Sequence, residues 1–313
     1  MSQLWTPATR VEWERLAGQE YLPLTQSWEW GEAKGETGER VERFISEGGG
    51  GVQLQRRHGV AWAAGAPIGR LDSETAATLA RLSRQVGSPI LLSPYADLPG
   101  TVKPLAQRLF LSGTVLLDLT LKEEEIRRQL HGKWRNGLSK AVRARIEIED
   151  GSFADMMSMV QELADAKGFH VPYEDEFVSA LKRAFGKGFT IRIARHSGAL
   201  AGSWLDLQAG STATYLLGAT TQAGRAVNAS YLLAWDAIER HRLGGATTLD
   251  LGGIDLDRNR GPSEFKARMG GKLLEFPGTF LLGGGAKAML LRALLKIRGS
   301  RGGRPGGAVA ASD

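Results

Sequence analysis

The chain has 313 residues, 42% of them hydrophobic, and no cysteine. That length accommodates two ordinary domains, and the lack of thiols excludes disulfides, thiolate metal sites and cysteine nucleophiles. The net charge is +6, yet after Gly283 six basic residues (Lys287, Arg292, Lys296, Arg298, Arg301 and Arg304) face Asp313 alone, so the body before them is nearly neutral.

No basic-then-apolar leader opens the sequence, and no run reaches the ~18 apolar residues a spanning helix needs. The expected location is therefore cytoplasmic. In chain order, a helix is predicted over 7–18. Strands over 41–47 and 52–57 are joined by Gly48-Gly49-Gly50-Gly51, a hairpin signal. A strand over 60–68 follows, then a helix starting at Ser73 with Leu79, Leu82 and Val86 on one face. Strands over 89–93 and 114–120 complete a small α/β unit.

A second, larger unit has a similar order. Residues 121–145 read as mostly helical, with Ile126, Leu130, Trp134, Leu138 and Ala141 as an apolar stripe; Gly132 and Gly137 make a break possible. A short strand over 146–149, helices over 152–168 and 174–185, and three strands over 189–195, 199–208 and 212–217 come next. A helix over 229–242, a strand over 247–251 and a last strand over 273–282 close the unit. The recurring order suggests a duplicated α/β fold. The expected domains are 1–120 and 121–283, followed by a basic amphipathic helix over 284–298 and a disordered tail over 299–313. In that helix Leu290, Leu291, Leu294 and Leu295 are expected to face one way, with Arg292 and Lys296 at i, i+4. It either touches an anionic bilayer surface or packs back on its domain.

The five histidines show no metal-ligating spacing, and no nucleophile elbow, phosphate loop or dinucleotide fingerprint occurs. Residues 127–145 carry Arg127, Arg128, Lys133, Arg135, Lys140, Arg143 and Arg145 without an acid. They form either a polyanion-binding patch or a solvated helix face. Tyr215-Leu216-Leu217-Gly218-Ala219 runs into a polar loop over 220–227 and then a helix, an arrangement that aims N–H groups at an anion. The strand end Leu249-Asp250-Leu251-Gly252-Gly253 lets backbone or ligand approach closely. Shortly after it, Phe265 presents Lys266, a cation able to meet developing negative charge.

Several of these segments resemble one family. Gln26-Ser27-Trp28-Glu29-Trp30-Gly31-Glu32-Ala33-Lys34 is similar to the Q-S-x-x-W-G-x-x-K signature of the FemABX peptidyltransferases. Lys133-Trp134-Arg135-Asn136 with Lys140-Ala141 resembles their K-x-R-N-x-x-x-K-A helix. The segments at 215–219 and 249–253, and Phe265-Lys266 with Gly270-Gly271, follow in family order. The resemblance spans roughly residues 20–283 and implies an α/β fold of two tandem GNAT-like domains with mixed sheets. No heptad run for a coiled-coil arm is present. It implies transfer of an amino acid, of glycine, alanine or serine type, from aminoacyl-tRNA to an amine of the stem peptide of a nucleotide- or lipid-linked peptidoglycan precursor. No metal and no cofactor beyond the tRNA co-substrate are expected, and peripheral contact with the inner membrane surface is a further expectation.

By resemblance, Lys266 is the catalytic residue, partly exposed in a groove. Lys34 contacts the precursor's diphosphate, and Trp30, Tyr215, Phe265, Gly252 and Gly253 line the substrate site. Arg128, Lys133, Arg135, Lys140 and Arg143 would meet tRNA. The family's R-x-x-x-Y clamp falls at Tyr173 and Phe177, which departs from the pattern. The loop Gln222-Ala223-Gly224-Arg225-Ala226-Val227 resembles the acyl-CoA loop [QR]-x-x-G-x-[GA] imperfectly, leaving an acyl-CoA N-acyltransferase as one alternative. A non-catalytic membrane-associated module is another.

Overall fold

A computed structural model of the chain describes residues 5–300 except 19–20, 58, 71–72, 99–104, 106–111, 169, 172 and 257–258. The disordered tail expected over 299–313 lies almost wholly outside the described residues. Two compact units share the chain.

Among the described residues, the first unit comprises the segments within 5–113, 175–184 and 274–300. Its sheet has the order β1 (Trp5–Pro7), β2 (Arg40–Ser46), β3 (Gly50–Arg57), β4 (Val60–Ala64), β6 (Ile90–Ser93), β14 (Phe280–Leu282), with β5 (Ile68–Gly69) beside β3. The polyglycine hairpin forms as expected: β2 and β3 pair antiparallel, Ile45 opposite Gly51, and Gly49 takes φ +86° in the turn. β4 and β6 run parallel, in register from Ala61↔Ile90 to Ala64↔Ser93. Trp5, Val52, Leu54, Leu79, Leu82 and Ile90 form the core of this unit.

Helix α1 (Arg10–Ala17) opens on a Thr9–Glu12 capping box, which satisfies two end N–H groups reciprocally. Helix α2 (Trp28–Glu36), missed in the sequence, starts at Ser27, whose hydroxyl accepts from the Trp30 N–H. Helix α3 (Ser73–Gln85) crosses between β4 and β6 in the chain.

The second unit comprises residues 114–174 and 185–273. Its sheet has the order β13 (Lys272–Glu275), β7 (Gly113–Asp118), β12 (Thr248–Ile254), β11 (Thr212–Leu217), β10 (Ala199–Ala209), β9 (Phe189–His196), β8 (Glu147–Asp150). Helix α6 (Phe153–Lys167) runs from an Ser152 cap to the left-handed Gly168. Helix α9 (Ala229–Leu243) precedes β12. Trp134, Trp204, Leu233, Trp235, Ile238, Leu249 and Leu251 sit in one buried cluster.

Three sequence expectations change. The helix over 121–145 is two helices, α4 (Glu123–Gln129) and α5 (Gly132–Arg143). The break falls at Leu130–His131, where the His131 ring accepts from the Lys133 N–H and caps α5. The strand over 273–282 is also two pieces, split where Pro277 lacks an N–H and Gly278 takes φ +122°. β13 stays in the second sheet and β14 pairs antiparallel with β6 in the first. The chain divides at 113/114 rather than 120/121, and most of helix α7 (Asp175–Phe185) belongs to the first unit. There Phe177 packs edge-on against Trp30 at 5.2 Å and Arg183 donates to Glu36 at 2.7 Å.

Candidate active site

In the second unit, β11 and β12 run parallel but are in register only for Thr212–Thr214 against Thr248–Asp250. Both strands continue, to Leu217 and Ile254. Gly252 takes φ +71° where they part, and a Cβ there would stand 2.7 Å from the Tyr215 carbonyl oxygen. Only glycine fits both the backbone angle and the close approach.

Helix α10 (Arg260–Ala267), not anticipated from the sequence, follows this opening and delivers Lys266 into it. The ammonium donates to the Gly253 carbonyl at 2.9 Å and lies 5.2 Å from the Tyr215 ring centroid. Lys266 is 5% exposed, so the expected partial exposure is corrected: the lysine is enclosed where the strands part. It makes no ion pair with Glu264, which is held by Arg260 and Arg268. Burial pulls its pKa down to about 8, against the opposing pull of Asp250. An amine of that pKa is mostly charged at neutral pH yet can surrender its proton.

Asp250, in the quoted motif but without an expected role, organises the opening. Its carboxylate accepts from the Gly252 N–H at 2.8 Å and from the Thr114 hydroxyl. Thr114 contacts the Gly252 carbonyl too, at 2.8 Å. The carboxylate therefore fixes the glycine turn and supplies negative charge toward the lysine.

Behind Tyr215 stands Trp204, ring centroids 4.0 Å apart. The Trp204 indole N–H donates to Asp206 at 3.0 Å; Asp206 is wholly buried and held by Arg240 and His241 at 2.5 and 2.9 Å. The W-x-D spacing on one strand face is the sequence signal that could have found this pair.

Phe265 is not a free groove wall. It packs with Trp134 and Tyr231, centroids 5.7 and 5.0 Å away, and so anchors α10. Gly137 of α5 makes this possible, since a Cβ would lie 2.4 Å from the Tyr231 ring. Of the K-x-R-N helix, Trp134, Gly137, Leu138 and Ala141 are buried. Lys133, Lys140 and Arg143 are exposed, with no ion pair among the described residues. Arg135 donates to the Leu130 and Arg128 carbonyls at 2.5 and 3.3 Å, and Arg128 lies 3.8 Å from Glu125.

The polar loop contains a short helix, α8 (Gln222–Ala226). A Cβ on Gly224 would fall 1.7 Å from the Ala201 carbonyl oxygen, and Thr221 accepts the Gly224 N–H at 3.0 Å. This glycine serves packing of α8 on β10, and its N–H is already used.

In the first unit, most of the N-terminal motif holds the fold. The Gln26 amide donates to the Gln53 and Ala64 carbonyls and accepts from the Gln53 N–H. Gly31 leaves room for the Gln53 and Arg43 side chains, which a Cβ would meet at 2.2 and 2.3 Å. Lys34 has no such bracing role. Its ammonium lies 4.2 Å from the Phe177 ring, 5.8 Å from the Trp30 ring and 3.2 Å from Glu39. The Trp30 indole N–H is buried without a hydrogen-bond partner among the described residues. Tyr173, where the family clamp carries arginine, is buried, and burial pushes its phenol well above the usual range.

Residues 124–267 match the family model described as "Acetyltransferase (GNAT) domain". This stretch is thus similar to a GNAT domain, and the whole chain has a tandem GNAT-like fold with two mixed sheets. That fold is similar to the crystal structure of FemX, with a TM-score of 0.75 at 15% identity over 93% of this chain and 99% of that one. The FemABX resemblance read from the motifs thus extends to the fold. A C-terminal domain of a putative lysylphosphatidylglycerol synthetase from Agrobacterium fabrum is also similar, with a TM-score of 0.54 at 17% identity over 93% and 98%. So is a tandem GNAT protein from the clavulanic acid biosynthesis pathway, with a TM-score of 0.51 at 14% identity over 90% and 99%. Comparison of the sequence with curated proteins finds no match.

Proposed function

We propose that the protein transfers an amino acid from aminoacyl-tRNA to an amine on the stem peptide of a peptidoglycan precursor. The supporting observation is a buried lysine of lowered pKa, braced by Gly253 and faced by Asp250, in the opening between β11 and β12 of a GNAT domain. In this reaction an amine nitrogen attacks the aminoacyl ester carbon, an amide C–N bond forms, and the ester C–O bond breaks. The ribose oxygen leaves and takes up a proton, the attacking nitrogen sheds one, which restores the donor's charge, and the carbonyl oxygen carries negative charge in between. Charged Lys266 suits both needs, as oxyanion stabiliser and as donor to the leaving oxygen. Tyr215, Gly252 and Gly253 border it, and Phe265 sets its position. Lys34, with Trp30, is the proposed contact to the precursor's diphosphate.

Lys133, Lys140 and Arg143 are the best-presented tRNA contacts; Arg128 and Arg135 are partly engaged within the protein. Phosphate contacts of this kind make affinity fall steeply with salt. The use of Gly224 and its N–H in packing disfavours acyl-CoA as donor. The experiment is incubation with labelled aminoacyl-tRNAs and with nucleotide- and lipid-linked precursors. Amide product from at least one amino acid is expected. Absence of product across the panel, or product from acyl-CoA alone, overturns the reading.

A further inference from the structure

Helix α11 (Gly285–Ser300) has two apolar faces. Its inner face carries Ala288, Leu291 and Leu295, packed against Leu91 and Leu281. The four leucines therefore do not face one way as the sequence suggested. Leu290 and Leu294 point outward at 62% and 51% exposure, with Met289 at 71%. At 100° per residue these three, with exposed Ala286 and Ala293, form one stripe opposite the packed face. Exposed Lys287 and Arg292 flank the stripe on its two sides, Arg292 also donating to the Leu281 carbonyl at 3.4 Å. No acidic residue occurs between Glu275 and Asp313, while Lys296, Arg298, Arg301 and Arg304 follow in the sequence.

We propose that this outward face docks onto an anionic phospholipid bilayer, with the helix lying in the plane of the interface. Scattered exposed apolar residues need no explanation, but a contiguous stripe on one helix marks an interaction surface. Its charge selects the occupant. A basic-flanked apolar stripe matches the boundary between anionic headgroups and acyl chains. A second copy of the same helix would bring like charge against like, and a nucleic acid would leave the stripe uncovered. The inner face is already packed, so seating the outer one needs no unfolding of α11. Among the described residues no helix is long and apolar enough to cross a membrane. The inference is independent of the acyl-transfer reading.

The test is sedimentation of the full chain with vesicles of phosphatidylcholine alone and of phosphatidylcholine mixed with phosphatidylglycerol. Binding to the anionic vesicles, weakened by salt, is expected. The variant Met289→Ser/Leu290→Ser/Leu294→Ser should bind at least ~10-fold more weakly, because three apolar side chains lose their transfer free energy. Its circular dichroism and unfolding midpoint should match the parent, since all three residues are exposed. The variant Lys287→Gln/Arg292→Gln should lose much of the preference for anionic vesicles. Failure of the parent to bind them, or undiminished binding by the triple serine variant, overturns the proposal. So does a concentration-dependent dimer of the parent that the triple variant abolishes.

Discussion

Both sheets contain a parallel strand pair, β4–β6 in the first and β11–β12 in the second, and the two pairs end differently. β4 stays in register with β6 through its last residue, Ala64 opposite Ser93. β11 and β12 leave register after Thr214 and Asp250, and a lysine enters the gap. Burial of polar groups follows the same division. Among the described residues, the buried polar side chains of the first unit are amides and hydroxyls, among them Gln26, Gln53, Ser83 and Ser93, while buried Asp206, His241, Asp250 and Lys266 all lie in the second. Neutral amides and hydroxyls are buried cheaply once hydrogen-bonded; buried charges are costly, and groups of perturbed pKa cluster at functional sites. Similar architecture has thus been closed in one unit and opened and charged in the other.

The sharpest way to break this contrast is Lys266→Met. Transfer should fall by at least ~100-fold, the range seen when one charge-stabilising donor is removed. Folding should survive, because removing the burial cost of the charge, on the order of 3 kcal/mol, offsets the lost bond to Gly253. The sign with pH is fixed. The unfolded lysine titrates near 10.4 and the folded one near 8, so the folded chain binds fewer protons between those values. Stability of the parent relative to Lys266→Met should therefore be lowest below about pH 8 and rise from there toward the unfolded value. Urea denaturation at several pH values checks both statements.

Gly252→Ala should cost about 1–3 kcal/mol through the left-handed backbone and the Tyr215 contact, and it should also slow transfer by displacing the lysine's surroundings. Gln53→Ala supplies the opposite case. It strands buried partners in the first unit and should destabilise by about 1–3 kcal/mol, yet leave turnover per folded molecule unchanged. Lys34→Gln should act least, raising KM for the precursor about tenfold with kcat little changed, the signature of a binding contact. Steady-state kinetics beside thermal unfolding separates these three.

Much of this contrast was legible in the sequence. The hairpin over the four glycines, the three central strands of the second sheet, and the glycine break ahead of Lys266 all follow from local chemistry and ordered motifs. What was not legible depends on distant contacts. Nothing local says that β14 returns to β6, that Phe177 packs on Trp30, or that Phe265 needs the space left by Gly137. Helix α10 escaped notice because it is short and contains Gly261 and Pro262. The enclosure of Lys266 escaped for a related reason: a lone lysine reads as a surface residue until the aromatic anchor beside it is placed. Asp250 shows the same limit, since its partners Thr114 and Gly252 come from different strands.

The central claim is that charged Lys266 acts at the reaction centre. The most direct measurement is the single-turnover rate of amide formation from aminoacyl-tRNA, taken from below to above pH 8 and corrected for spontaneous ester hydrolysis. Divided by the Lys266→Met rate at the same pH, which cancels the ionisation of the attacking amine, the parent rate should fall as pH rises through about 8, where the buried ammonium loses its proton. A ratio that stays flat through this region would contradict the account.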